Sequence, residues 1–196
     1  MSGEVSANVK GGPWSPLRIA LYRSLWIAAL VSNVGTFMHI VAAGWAMTSL
    51  TDSPTLVGLV QTSWAVPGFV LALHAGAFAD MVDRKRLIAV TQSAALAIAV
   101  ALSVLDVTGN LGVTTLLAGT FLESVALTIA APAFMALTPQ LVGTQYLSQA
   151  FGLDSVSRNI AQSVGPALAG VIIAFTSAGA VFMLNAVSFV GILIVV

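Results

Sequence analysis

From Leu25 to Val196 the chain is a succession of apolar runs, each about twenty residues or longer, broken only by short polar or charged turns. At about 1.5 Å of rise per helical residue, such a run matches a bilayer hydrocarbon core of about 30 Å. Inside lipid every backbone N–H and C=O must find a partner within the segment or within a closed barrel. Continuous apolar stretches rather than short alternating ones specify helices. Six crossings are expected, at about 25–49, 57–79, 87–106, 113–135, 152–175 and 178–196, after a tail over about 1–24. The fourth gap, from Thr138 to about Ser148, is the longest. The expected fold class is an all-α membrane protein with a single six-helix domain.

Composition narrows the function. Of 196 residues, 58% are hydrophobic and 7% charged, and mean hydropathy is +1.00, which excludes a water-soluble globule. The lipid bilayer is therefore the chain's first partner. Seven Lys plus Arg balance seven Asp plus Glu, which argues against nucleic acid as a partner, since phosphate binding wants surplus cations. With no cysteine, disulfide frameworks and thiolate chemistry drop out. No phosphate-binding glycine loop, His-Glu-x-x-His or Gly-x-Ser-x-Gly occurs, and two histidines with one mid-membrane acid are too few for a metal site. Neither an enzyme nor a cofactor is expected.

Orientation follows from the cations. Lys10, Arg18 and Arg23 precede helix one, and Arg84, Lys85 and Arg86 lie between helices two and three, so six of the seven share one side. The positive-inside rule makes that side cytoplasmic and the polar start, Met1 to Gly12, a cytosolic tail. Phe189 to Val196 ends the chain while still apolar, without a cation to stop the sixth helix, so a continuation or a partner is expected to follow.

Several residues are candidates for chemistry. Glu123 falls near the middle of helix four, where an unpaired charge costs about 2.5 to 3.5 kcal/mol on an insertion scale. It should face protein or water. A carboxyl there favours its neutral form, which suits either a residue that takes up and releases a proton or one that hydrogen-bonds a neighbouring helix. In helix one, Ser32, Thr36 and His39 recur at i, i+4 and i+7 on one face, with Asn33 beside them; they line either a cavity or a polar helix contact. In helix five, Gly165-Pro166-Ala167-Leu168-Ala169-Gly170 places small residues four apart, which permits close helix contact. Pro166 removes the hydrogen bond to the Gln162 carbonyl. Asp154 and Arg158, one turn apart, are a candidate pair.

The loop after helix two reads Gly76-Ala-Phe-Ala-Asp80-Met-Val-Asp83-Arg84-Lys85-Arg86, with five charges in its last seven residues. It resembles the signature of the major facilitator superfamily, Gly-x-Leu-Ala-Asp-Arg-x-Gly-Arg-Arg/Lys: Gly76, Phe78, Ala79, Asp80, Arg84 and Lys85 fall on its positions, with Phe for Leu, while Met81 replaces the first Arg and Asp83 the second Gly. With Ser32-Asn33-Val34-Gly35 and Asp52-Ser53-Pro54, the chain is most similar to the exporter branch that contains the enterobactin exporter and macrolide efflux pumps. Gly165-Pro166 to Gly170 resembles the antiporter motif of superfamily exporters, with Ala169 in place of one Gly.

The resemblance covers about Leu17 onward and implies one half of a twelve-helix transporter, built as a 3+3 inverted repeat, with a second six-helix half as partner. It implies a secondary active exporter of a small amphipathic molecule, drug- or siderophore-like, coupled to protons and residing in a bacterial inner membrane. A non-transporting six-helix scaffold or regulatory subunit is the alternative. Helices one and four would line the cavity: Glu123 and His39 for proton coupling, and Ser32, Asn33, Thr36 and Thr120 as its walls. Gly76, Asp80, Asp83, Arg84, Lys85 and Arg86 would form a cytoplasmic gate loop in which Asp80 and Arg84 pair and Gly76 lets helix two approach its neighbours. Gly35-Thr36-Phe37-Met38 in helix one is echoed by Gly119-Thr120-Phe121-Leu122 in helix four, consistent with such a repeat.

Overall fold

The computed structural model describes residues 12–196, apart from the side chains of residues 72, 73 and 77–80. Six long helices follow one another: α1 (Ala20–Leu50), α2 (Pro54–Met81), α3 (Arg84–Val107), α4 (Val113–Val142), α5 (Leu147–Phe175) and α6 (Ala178–Val195). There is no strand among the described residues. Local chemistry sets the breaks. Pro54 opens α2, where its missing N–H has no partner to lose. Asp83 caps α3 by accepting from the Arg86 N–H at 2.8 Å, and Gly109 and Gly143, both at φ 71°, take the left-handed conformation that the turns after α3 and α4 need.

The expected fourth gap is largely helical. α4 runs through Pro132 and Pro139 to Val142, and only Gly143 and a 3-10 turn at Thr144–Tyr146 separate it from α5. A Thr-Pro-Gln run reads as a turn in water, but within a membrane bundle neighbouring groups satisfy the carbonyls that proline frees and the helix continues. Arg84 of α3 donates from Nη1 to the Ala136 carbonyl at 3.2 Å, one residue beyond the Met135 carbonyl that Pro139 frees.

Five of the helices are long and apolar enough to cross a membrane by length and composition: α1, α2 over Pro54–Leu71, α3, α4 and α6. α5 completes the six-helix half. Its polarity has a place, because Ala150, Leu153, Ser157, Ala161, Gly165 and Ala169 form a narrow buried stripe while Asp154, Ser157 and Arg158 line a pocket.

The packing has an internal symmetry. α1 packs on α5 and α6, α4 packs on α2 and α3, and α3 packs on α6. Exchanging α1 with α4, α2 with α5 and α3 with α6 returns the same set of neighbours, the arrangement of a three-helix unit repeated. The Gly35/Gly119 echo takes part in it. A Cβ on Gly35 would lie 2.7 Å from Ser188 Oγ of α6, and one on Gly119 would lie 2.7 Å from Leu102 Cδ2 of α3. Each glycine permits the close approach of the corresponding pair.

Lipid cannot drive helices together by the hydrophobic effect, so contact between small residues does the work. Ala42, Ala43 and Ala46 of α1 are buried with Met38 and Met47 against Leu102, Leu116, Val181 and Phe182, while large apolar side chains such as Phe69 and Phe175 point outward. At the end where α3 meets α6, Asp106 accepts from the Gly179 N–H at 2.6 Å, and Ser103 donates to the Gly179 carbonyl at 2.7 Å.

Candidate functional site

An open pocket and a buried polar cluster lie side by side among the six helices. The pocket holds about 300 Å³. Ser32, Asn33 and Thr36 of α1 line it, with Tyr22, Trp26, Trp64, Gln92, Phe134, Asp154, Ser157 and Arg158 among the rest. One part is aromatic and another is polar, with a carboxylate and a guanidinium. Hydrogen bonds between α1 and α5 shape this wall: Trp26 Nε1 donates to the Leu153 carbonyl at 3.0 Å, Asn33 Nδ2 to Ser157 Oγ at 3.2 Å, and the Tyr22 hydroxyl to the Ala150 carbonyl at 3.2 Å. Asp154 and Arg158 share the pocket, with no ion pair between them among the described residues.

The second compartment is closed. His39 of α1 and Glu123 of α4 are both 0% exposed, with Nδ1 and Oε2 3.3 Å apart. That separation is within ion-pair reach, yet the two atoms are not aligned as a hydrogen bond. Asn185 of α6, also fully buried, donates from Nδ2 to Glu123 Oε1 at 2.7 Å. The imidazole lies 4.9 Å from the Phe182 ring and 6.1 Å from the Trp64 ring, centroid to centroid. His39 Nε2, Thr120 Oγ and Asn185 Oδ1 are buried without partners. Chemically, one proton shared between Glu123 and His39 leaves the pair without net charge whichever residue holds it, whereas adding or removing a proton leaves a bare charge out of water.

The single cavity expected from the sequence is therefore divided. Ser32, Asn33 and Thr36 line the pocket; His39, Glu123 and Thr120 do not, and form the buried group behind it. The i, i+4, i+7 stripe predicts a shared face, but burial along that face changes as α2 and α6 close over its far end. Sequence reasoning missed Asn185 and Trp64. A lone amide in the apolar run of α6 is the signal that could have found Asn185, since such a group needs a partner. Nothing in the sequence distinguished Trp64 from an ordinary core aromatic.

The expected loop is almost entirely helical, since α2 runs to Met81 and α3 begins at Arg84, which leaves only Val82 and Asp83 between them; Asp83 is a helix cap, Arg84 reaches α4, and Lys85 Nζ donates to the Val196 carbonyl at 3.3 Å. Arg86 supplies its backbone N–H to that cap. The side chain of Asp80 lies outside the described residues. No described atom lies within 4 Å of a Cβ built on Gly76, so the close approach expected there is absent within this half. In α5 the motif separates similarly. Gly165 presses on α1, with a built Cβ 2.7 Å from Phe37 Cβ, Gly170 meets nothing within 4 Å, and the helix continues through Pro166.

Six long helices in two related triplets, five of them long and apolar enough to cross a membrane, with a pocket beside a fully buried acid, define one half of a major facilitator transporter. A family model described as "transmembrane secretion effector" matches residues 11–196, and the chain belongs to this family. It is similar to the staphyloferrin A transporter of Staphylococcus aureus (strain NCTC 8325 / PS 47), 27% identical over 157 residues that cover 80% of this chain and 40% of that protein. It is also similar to the uncharacterised MFS-type transporter YfiS of Bacillus subtilis (strain 168), 29% identical over 167 residues, 85% of this chain and 39% of the relative. A third relative, the uncharacterised MFS-type transporter y4rN of Sinorhizobium fredii (strain NBRC 101917 / NGR234), is 27% identical over 168 residues, 86% and 42% of the two chains. The chain spans about two-fifths of the length of these curated relatives.

Proposed function

We propose that this chain forms the N-terminal half of a proton-coupled exporter that moves a small amphipathic molecule by alternating access, with a second six-helix half completing the path. The observation that carries the reading is the sealed Glu123–His39 pair at membrane depth beside an open polar and aromatic pocket. A pair that holds one proton without net charge stays closed; gaining or losing a proton favours opening toward water. The pocket's aromatic and charged parts suit a substrate with both apolar and polar surface, and a relative named as a staphyloferrin A transporter supports a siderophore-like class. Cations concentrated before α1 and at Arg84, Lys85 and Arg86 support a cytoplasmic N-terminus in a bacterial inner membrane. Ser32, Asn33 and Thr36 serve as pocket contacts, Thr120 lies buried one turn before Glu123, and Gly76 to Arg86, including Asp80 and Arg84, acts as the cytoplasmic gate.

The test is Glu123→Gln in the full-length gene product, using a substrate selected from a panel of siderophores and amphipathic drugs. Loss of pH-gradient-driven efflux with retained exchange in the absence of a gradient is the expected result. Unchanged driven efflux returns Glu123 to a packing role. Six further apolar segments in the gene after Val196 would supply the second half within the same chain; their absence would direct the search to a second subunit.

A further inference from the structure

Trp64 belongs to both compartments. The half-buried residue lines the pocket together with Ser32, Asn33 and Thr36, while its ring is 6.1 Å from the His39 ring and inclined to it by 37°. Beyond it, His39 and Glu123 have no exposed surface. Trp64 is also held from the proton side, since Ser124, the residue after Glu123, donates its hydroxyl to the Trp64 carbonyl. Adjacent residues of α4 thus carry the buried acid and hold the stretch of α2 that bears Trp64.

We propose that Trp64 is the partition between the substrate pocket and the Glu123–His39 compartment, and that displacement of this one indole couples substrate arrival to proton exchange. The inference rests on the reading of Glu123 as the proton-responsive residue. An indole is a rigid plate with a few discrete rotamers, so the partition is either closed or moved aside. A ligand that packs against the pocket side of the ring favours one of those states by its differential contact, and that preference is all that coupling requires. The groups facing the closed side are His39 from α1, Glu123 from α4 and the neutral Asn185 from α6; those facing the pocket are Asp154 and Arg158 from α5 and Tyr22 from α1.

The test measures access and then leak in the purified full-length transporter. A water-soluble carbodiimide with glycine ethyl ester is applied, and modification of Glu123 and Asp154 is followed by peptide mass spectrometry. In the parent, Glu123 should react about tenfold or more slowly than Asp154, which lies in the open pocket. Trp64→Ala should raise the Glu123 rate by about tenfold or more without changing Asp154, whereas Trp64→Phe should stay near the parent. Trp64→Leu serves in place of the alanine variant if that one does not fold. Parent Glu123 reacting as fast as Asp154, or an unchanged Glu123 rate in the truncated variants, overturns the partition. In proteoliposomes without substrate, Trp64→Ala should dissipate an imposed pH gradient faster, and adding Glu123→Gln should restore the parent rate. Raised access without a faster leak overturns the coupling and leaves the partition. Driven efflux that survives Glu123→Gln alone is the separate failure of the proton reading.

Discussion

Gly165 and Gly170 belong to one short motif, yet the fold gives them opposite consequences. A Cβ on Gly165 would sit 2.7 Å from Phe37 Cβ, 3.1 Å from the Val34 carbonyl oxygen and 3.4 Å from the Met38 nitrogen, so the obstacles are backbone atoms and the base of a side chain. Ordinary carbon contacts lie at about 3.5 to 4.0 Å, so Gly165→Ala requires α1 and α5 to part by about 1 Å. That separation loosens Ala161 and Ala169, both fully buried in the same stripe. Overpacking of this kind costs about 1–3 kcal/mol, offset by about 0.5–1 kcal/mol from replacing a mid-helix glycine, which leaves a net loss of at most about 2.5 kcal/mol and of about 1 kcal/mol at the middle of these ranges. At about 2–4 °C per kcal/mol for a unit of 150–250 residues, the melting temperature should fall by about 2–5 °C. Gly170→Ala meets nothing within 4 Å on this half and should leave the melting temperature unchanged or raise it. Thermal unfolding of the purified full-length variants, followed by fluorescence-detected size exclusion, reads both. A Gly165→Ala protein as stable as the parent would refute the close packing of α1 on α5.

Asp106→Ala removes the acceptor for the Gly179 N–H at the start of α6 and should destabilise by about 1–3 kcal/mol, with Asp106→Asn retaining part of the loss as acceptor strength; thermal unfolding distinguishes the three proteins. Asp83→Ala removes the cap of α3 at a cost of about 1 kcal/mol, and Asp83→Ser should recover most of it in the same assay. Arg84→Ala removes the hydrogen bond between α3 and the Ala136 carbonyl of α4, and Asp80→Asn alters the proposed gate, so both should shift the transporter away from its inside-closed state. Single cysteines placed on the two faces of the naturally thiol-free chain report the shift, and labelling identical to the parent would remove the gate assignment.

Much of this architecture is legible in the sequence because a bilayer imposes so few solutions. Length and apolarity of the runs fix six helices, since a chain in lipid must satisfy its backbone internally, and the Gly76 to Arg86 loop carries the family resemblance in residue order alone. Glu123 stands out for the same reason, as an acid in the middle of an apolar run. What the sequence does not contain is which helix closes over which face. Ser32, Thr36 and His39 share one stripe by helical period, yet Thr36 opens to a pocket and His39 is sealed, because α6 brings Phe182 and α4 brings Glu123 against the His39 end, while Trp64 of α2 stands beside both ends. Gly165 and Gly170 are alike as letters; one faces the backbone of α1 and the other faces open space. Helical periodicity sets the face on which a side chain stands. Only the packing of distant helices decides whether that face meets water, lipid or another acid's partner.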